Sequence, residues 1–205
     1  MAVKNVVFKE TMPFLKEQWG SELTERILKK AEEYYKQLLE ENSNESKAVR
    51  THTAGKIYPC ISLYRAMTDN GIEKKTAEEF LDRTHSIRAE KDAVSIQRLM
   101  KIPGLYRLMP RIFRLVTLNQ FGEAAGFKAR FYPEGSKRVK FDMTKCLYCD
   151  VCRKNGVPEL TKCFCHTDDV VDGHMHPKLI WNRTKIMGDG GDVCDFDLYI
   201  EEKKR

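Results

Sequence analysis

Residues 178–200 read KLIWNRTKIMGDGGDVCDFDLYI, and they carry the clearest signal for the fold. Residues 178–186 alternate between apolar and polar side chains, and residues 192–200 do the same, which is the pattern of half-buried strands. The glycine-rich segment 188–191 separates the two runs. A turn of this composition between alternating runs predicts an antiparallel β-hairpin.

The register of this hairpin decides which side chains meet across it. If the turn is centred between residues 188 and 189, Arg183 lies opposite Cys194. A shift of one residue places Arg183 opposite Asp195 instead. In both registers we expect the guanidinium to meet the Cys-Asp pair.

Other segments after residue 130 also read as strands. Residues 139–143 alternate, and residues 160–165 have a strand-like composition in which Cys163 and Cys165 would share one face. We therefore expect residues 131–205 to form a small antiparallel sheet.

The first 130 residues have helical spacing instead. Residues 22–41 have apolar side chains at intervals of three and four, and residues 57–67 predict a second helix that ends before Asn70. Thr76 and Glu79 have capping-box spacing and predict the start of a third helix. The predicted class is α+β, a single domain of residues 1–205 in which a helical half, residues 1–130, covers one face of the sheet.

Residues 99–121 are apolar and basic, and prolines at 103 and 110 interrupt them. Such a stretch is typical of a helix on an anionic membrane surface. A helix that packs on its own sheet has the same apolar stripe. We favour packing because a folded domain needs such faces.

Composition narrows the class of protein. Lys and Arg number 36 against 30 for Asp and Glu, a net charge of +6, and 41% of the residues are hydrophobic. This mixture predicts a soluble globular protein, with no membrane span and no nucleic-acid motif. The N-terminus lacks the apolar core of a secretory signal, so we expect a cytoplasmic protein whose partner is a small-molecule substrate.

Six of the seven cysteines lie between residues 146 and 194. Without an export signal, disulfides are less expected than metal binding or thiol chemistry. Cys146, Cys149 and Cys152 have the first spacings of an iron–sulfur motif, but Gly156 stands at the expected fourth position. Zinc is the other metal alternative, with Cys163 or Cys165 and the histidines at 174 and 176. We expect no metal or other cofactor.

The C-terminal motifs resemble a known family. Cys165-His-Thr-Asp168, followed by residues 183–196, RTKIMGDGGDVCDF, is similar to the bacterial L-2-amino-thiazoline-4-carboxylate hydrolases. That family has Cys-x-x-Asp followed by approximately Arg-Thr-x-Thr-x-Ala-x-Gly-Gly-Asp-x-Cys-Asp-Phe. The chain departs from it at Ile186 and Gly188, and the resemblance covers about the last 60 residues. It implies a hydrolase that opens a cyclic isothiourea ring bearing a carboxylate.

This chemistry requires a nucleophile for the ring carbon between sulfur and nitrogen, a carboxylate for the amidinium and a cation for the substrate carboxylate. Cys165 or Cys194 is the candidate nucleophile, although a single cysteine more often packs as a small apolar group. We expect these thiols, Asp168 and Arg183 to converge in one cavity. The candidate catalytic residues are Cys165, Asp168, Cys194 and Asp195, and the candidate substrate-binding residues are Arg183, Thr184 and Asp192.

The alternative from another class is a non-catalytic module of the 4-vinyl-reductase type, which would bind a small molecule or a metal such as zinc or an iron–sulfur cluster. Turnover distinguishes an enzyme from such a module. The exact substrate and a homo-oligomeric state are left open by the sequence.

Overall fold

A computed structural model describes residues 5–201 and shows an α+β chain in which helices precede most of an antiparallel sheet. The sheet has the strand order β1-β2-β4-β3. The α-helices in the described residues are α1 Val6–Glu41, α2 Lys47–His52, α3 Tyr58–Asp69, α4 Lys74–Leu99, α5 Met109–Gln120, α6 Leu147–Lys154 and α7 Thr161–Asp172. The strands are β1 Lys128–Phe131, β2 Arg138–Lys145, β3 Leu179–Asn182 and β4 Cys194–Ile200.

Helix α1 contains the predicted helix of residues 22–41 and extends it to Val6. The Asn5 side chain caps its first turn by accepting the Val7 N–H at 2.9 Å. Gly20 interrupts the helix with φ 76°, a left-handed conformation that favours glycine. The chain therefore bends at Gly20 into two helical segments.

Helix α3 packs against α1 and ends at Asp69, which confirms the predicted end before Asn70. The predicted start of the next helix at Thr76 is wrong, because α4 begins at Lys74. The Ile72 N–H returns to the Met67 carbonyl at 3.1 Å, and this bond closes the end of α3. The connection between α3 and α4 is short, and α4 therefore begins before Thr76.

Strands β3 and β4 form the predicted antiparallel pair, but the observed register differs by two residues from the first predicted register and by one residue from the second. Trp181 pairs with Leu198, and Asn182 pairs with Asp197. The Asp195 carboxylate accepts the backbone N–H groups of Thr184 at 2.8 Å and Lys185 at 2.5 Å. These bonds turn the chain away after Asn182, so Arg183 pairs with neither Cys194 nor Asp195.

The prediction of a strand at residues 160–165 is also wrong, because α7 begins at Thr161. A second helix, α6, likewise lies in the part expected to be all sheet. Helix α7 packs along α4, and burial of one helical face against α4 overrides the strand-like composition. Residues two apart on a helix point in directions about 200° apart, so Cys163 and Cys165 do not share a face.

Helix α5 contacts β2 and β4, so the expected packing of the apolar and basic segment on its own sheet is confirmed. Its inner face contributes Phe113, whose ring lies 5.6 Å from Trp181 and 6.3 Å from Phe141 between centroids. Between residues 5 and 201, every helix is too short or too polar to cross a lipid bilayer.

Candidate active site

A cavity of about 340 Å³ lies where α4, α5 and α7 meet one face of β2 and β4. Its size is in the range of small-molecule sites. Much of its lining is aromatic, with six phenylalanines among the described residues: Phe113, Phe121, Phe127, Phe141, Phe164 and Phe196. The cavity therefore suits a ligand with an apolar part.

The sheet contributes a thiol to this cavity. Cys194 pairs with Met143, and Phe196 pairs with Phe141 on the neighbouring strand. Because side chains alternate along a strand, Cys194 and Phe196 lie on the same face, and both line the cavity. The Met187 N–H donates to the Cys194 sulfur at 3.2 Å.

Helix α7 supplies the polar wall of the cavity. Cys165, Asp168 and Asp172 are three and then four residues apart, which places them on one helical face, and all three line the cavity. Burial raises the pKa of Asp168 to about 6 against the opposing effect of Arg183. Burial also raises the pKa of Asp172. This wall therefore carries two carboxyl groups that hold protons more readily than free aspartate.

Cys165 on α7 and Cys194 on β4 both line the cavity, and their thiols influence each other's pKa. The hydrogen bond from Cys165 lowers the pKa of Cys194, with further lowering from the Met187 N–H and the Arg183 charge. The same bond and burial raise the pKa of Cys165. Cys194 is thus the thiol that ionises first, with Cys165 as its donor.

Gly188 permits this close arrangement. A Cβ atom at Gly188 would lie 2.9 Å from the Cys165 sulfur and 3.2 Å from the Lys162 backbone. The absence of a side chain lets the loop before β4 approach α7 closely. The loop then delivers the Met187 N–H to Cys194.

The other cysteines divide into two groups. Cys146 lines the cavity at the start of α6, and its hydrogen bond to Cys149 lowers the pKa of Cys149. The remaining three, Cys60, Cys152 and Cys163, have no exposed surface and pack in the hydrophobic core.

Within residues 5–201, no group of three or more His, Cys, Asp or Glu side chains is arranged to hold a metal ion. The histidines considered as zinc ligands lie in the loop after α7. The His176 ring stacks on Tyr106 with centroids 4.4 Å apart.

Arg183 lies behind Asp168 and is not among the cavity-lining residues of the described chain. Its side chain is 1% exposed. The two terminal nitrogens donate to Asp168 at 3.0 Å and to Asp169 at 2.5 Å, and the second also reaches the Cys165 carbonyl at 2.7 Å. The guanidinium is thus held by α7 and orients Asp168, which lines the cavity.

Three other predicted site residues lie together on the turn outside the cavity. The Asp195 carboxylate accepts the Thr184 hydroxyl at 2.6 Å, and Lys185 lies 3.1 Å from Asp192. Asp195 points to the face of β4 opposite Cys194. The structure therefore brings together Cys165, Asp168 and Cys194, but places Thr184, Asp192 and Asp195 elsewhere.

Several cavity residues were not among the sequence candidates. Lys56 and Arg88 bring positive charge to the cavity from the helical half, and Tyr148 brings a hydroxyl that lies 3.2 Å from His52. Asp172 had a sequence signal, since it continues the helical spacing of Cys165 and Asp168. Lys56 had none, because only the tertiary fold brings it to this cavity.

Comparison with solved structures finds distant matches along the whole chain. An unliganded Fe(II) H-NOX protein from K. algicida is 11% identical with a TM-score of 0.35, and the match covers 98% of each chain. An H-NOX protein from S. oneidensis in the Fe(II)NO state is 10% identical with a TM-score of 0.33, covering 97% of this chain and 99% of that one. No curated protein matches the chain significantly.

A family model matches most of the chain. The family described as L-2-amino-thiazoline-4-carboxylic acid hydrolase matches residues 50–198. This range includes Lys56, the α4 and α5 walls, α7 and Cys194. The match covers most of the chain, and the protein therefore belongs to the L-2-amino-thiazoline-4-carboxylic acid hydrolase family.

Proposed function

We propose that the protein hydrolyses a small cyclic isothiourea, or a related ring with C–N and C–S bonds and a carboxylate, in the cavity between α7 and β4. Membership of the hydrolase family supports the reaction class. The observation that carries the proposal is the Cys165–Cys194 thiol pair beside Asp168 in one cavity.

Cys194 is the proposed nucleophile. Its pKa is lowered by the Cys165 thiol, and its sulfur faces the cavity with a backbone N–H at 3.2 Å. A thiolate held by two donors is present at a higher fraction near neutral pH than an ordinary cysteine thiolate. Cys165 acts through Cys194 and is a positioning residue.

Asp168 is the proposed proton carrier. With a pKa of about 6, it is mostly ionised at neutral pH but gains a proton readily. As a carboxylate, it accepts hydrogen bonds from the amidine part of the ring. Arg183 holds its orientation from behind.

The proposed reaction has two steps. The Cys194 sulfur first adds to the ring carbon between sulfur and nitrogen, and that carbon's bond to the ring nitrogen then breaks. Asp168, ionised at the start, takes a proton from the exocyclic nitrogen and gives it to the ring nitrogen, which leaves as an amine, and the carbon remains bound to Cys194 as an imine. Water then attacks this carbon, Asp168 takes one water proton and passes it to the imine nitrogen, and Cys194 leaves as thiolate while the remaining hydroxyl proton goes to the free amine. The net change is addition of one water and loss of one ring bond.

Lys56 is the proposed partner of the substrate carboxylate. It lines the cavity, whereas Arg183 is committed to Asp168 and Asp169. Arg88 also lines the cavity, but its Nε lies 2.8 Å from Glu10. The phenylalanine lining further favours a substrate in which the ring bears an apolar substituent.

A screen of cyclic isothioureas and thiohydantoins, with mass detection of water addition, tests this proposal. The hydrolysed compound then serves to compare variants. Cys194→Ser is expected to lower kcat by about a thousandfold or more, because serine lacks the low-pKa thiolate. Cys149→Ser, which removes a nearby thiol that does not line the cavity, is the matched control and should stay within about tenfold.

Circular dichroism of both variants checks that the fold is intact. Saturable binding of these compounds without turnover in the wild-type chain would contradict the enzyme and favour the binding module. Equal activity of Cys194→Ser and the wild type would contradict the thiol mechanism.

A further inference from the structure

The outer face of α5 is apolar although it points to solvent. We define the α5 outer face as Leu108, Ile112, Leu115 and Leu118, with the first residue just before the helix. Their exposed fractions are 48%, 36%, 59% and 50%. The spacing of four and then three residues places them along one side of the helix. The opposite side, with Thr117, is buried against the fold.

Exposed apolar side chains concentrate in this part of the described chain. Of the nine large hydrophobic residues that are exposed, eight lie between Val94 and Leu118. Two of them lie before α5, Leu99 at the end of α4 and Ile102 in the connection from α4 to α5. Contiguous exposed apolar surface usually marks an interaction site.

The same segment has an unusual charge. Residues 98–122 contain five basic residues and no acidic residue, although the whole chain has 30 acidic residues. The basic residues are Arg98, Lys101, Arg107, Arg111 and Arg114. A second copy of this face is a poor partner, because the five positive charges of each copy would be brought together.

We propose that the α5 outer face docks on the surface of an anionic lipid bilayer. Apolar side chains enter the boundary between headgroups and acyl chains, while neighbouring Arg and Lys side chains contact anionic headgroups. Neither the insertion of apolar side chains nor the contact of basic side chains with headgroups requires a helix that spans the bilayer. An excess of basic side chains along the segment beside an exposed apolar stripe is the combination that such a surface attracts.

The docking surface adjoins the cavity. Val116 is 40% exposed and also lines the cavity, together with Phe113 and Thr117 from the inner side of α5. Docking would therefore bring the cavity next to the bilayer. This proposal rests on the α5 surface alone and stands independently of the hydrolase proposal.

Vesicle flotation of the full chain tests the docking. We expect binding to vesicles of phosphatidylglycerol and phosphatidylcholine, little binding to phosphatidylcholine alone, and a loss of binding in 0.5 M salt, where the Debye length falls to roughly 4 Å. The double variant Ile112→Asn/Leu115→Asn should weaken partitioning by about tenfold or more. Val6→Asn, which changes an exposed valine on α1, is the matched control and should bind normally.

Two double variants, each of which removes two basic side chains, test the electrostatic contribution to vesicle binding. Lys101→Gln/Arg111→Gln should weaken partitioning by about fivefold for each cation removed. Lys16→Gln/Lys29→Gln removes the same charge from exposed positions on α1 and should have little effect.

Circular dichroism confirms that each variant is folded before partitioning is compared. Absence of flotation with anionic vesicles overturns the proposal. Flotation that the α5 variants leave unchanged overturns it as well. Sedimentation that shows a dimer lost in the Ile112→Asn/Leu115→Asn variant, without vesicle binding, would assign the face to a second copy instead.

Discussion

At the scale of single residues, Arg183 and Asp168 show how one charge sets the protonation of another. Burial alone would raise the pKa of Asp168 further than about 6, and the neighbouring guanidinium opposes that rise. Arg183 also donates to the Cys165 carbonyl, so the same side chain holds the helix that carries the thiol. Its chemical role is to position both groups from outside the cavity.

Replacement of Arg183 should change the titration of Asp168. In Arg183→Gln, we expect the pKa of Asp168 to rise above about 6, because the favourable charge that stabilises the carboxylate is lost. The rate of any reaction that needs the ionised Asp168 carboxylate should then begin to fall at a higher pH when the solution is acidified. Carboxyl-carbon NMR titration measures the shift directly.

Two further variants separate charge from structure in this experiment. Arg183→Lys keeps the charge and should leave the Asp168 pKa close to about 6, although it loses the two-pronged contact. Arg138→Gln removes a guanidinium that pairs with Asp197 at 2.6 Å, away from the cavity, and serves as the matched control. An unchanged Asp168 titration in Arg183→Gln would show that the guanidinium does not set this pKa.

At the scale of elements, the connection from β3 to β4 determines where the Cys194 thiol lies. The Asp195 carboxylate accepts three hydrogen bonds from Thr184 and Lys185 and fixes the first turn of this connection. Gly188 then lies against Cys165, and the Met187 N–H reaches Cys194. The glycine-rich segment is therefore a support for the thiol pair rather than a tight two-residue hairpin turn.

Asp195→Ala is expected to lower the free energy of unfolding by about 1–2 kcal/mol, because two backbone donors and one hydroxyl lose a charged acceptor. Although burial opposes it, these hydrogen bonds lower the pKa of Asp195 from 3.8. Its stabilising contribution is present above that pH and is lost as the pH falls through the lower folded-state pKa. Denaturant unfolding at pH 7 and at pH 3 should show a smaller difference at the acidic pH.

Asp192→Ala is the matched control on the same turn. Its exposed ion pair with Lys185 contributes little, so we expect a change of less than about 0.5 kcal/mol. If Asp195 only supports the turn, the folded Asp195→Ala variant should retain turnover within about tenfold. A loss of turnover by several powers of ten, with the fold intact, would instead indicate that Asp195 is catalytic.

At the scale of the whole molecule, the cavity exists only where the helical half meets the sheet. The apolar wall comes from α5 and β2, and the acids come from α7. The thiols come from α7, β4 and the start of α6, and Lys56 comes from the turn before α3. A ligand that contacts all these walls should stabilise the complete fold. Ligand binding then raises the free energy of unfolding, by about 2.7 kcal/mol at a ligand concentration of one hundred times Kd, and thermal unfolding measures this rise.

Lys56→Gln tests the assigned orientation of the ligand. In the Cys194→Ser background, which prevents turnover, we expect Lys56→Gln to weaken binding of a carboxylate-bearing ring by about tenfold, the size of a charge-assisted hydrogen bond. The corresponding amide should lose much less. Calorimetry with both ligands measures the difference, and Lys47→Gln, an exposed change on α2, is the control. Equal losses for the carboxylate and the amide would place the carboxylate elsewhere.

Local sequence patterns were enough to predict the α+β class, the helix that ends at Asp69 and the antiparallel pairing of the last two strands. These features follow from local signals: helical spacing, alternation and glycine-rich segments act over a few residues. The Cys165–Asp168 and Cys194 motifs also pointed to the family that the chain belongs to. A motif is local as well, so it could be recognised without the fold.

Only the tertiary structure decided which of these residues meet. The segment 160–165 is short enough to suit a strand or a helix, and packing of α7 on α4 selected the helix. In this helix, Cys163 lies in the core and Cys165 lines the cavity. The hydrogen bonds of Asp195 turn the chain after β3 and thereby set the position of Arg183. Burial, hydrogen bonds between distant residues and the resulting pKa shifts depend on contacts across the fold, and periodicity along the chain does not encode them.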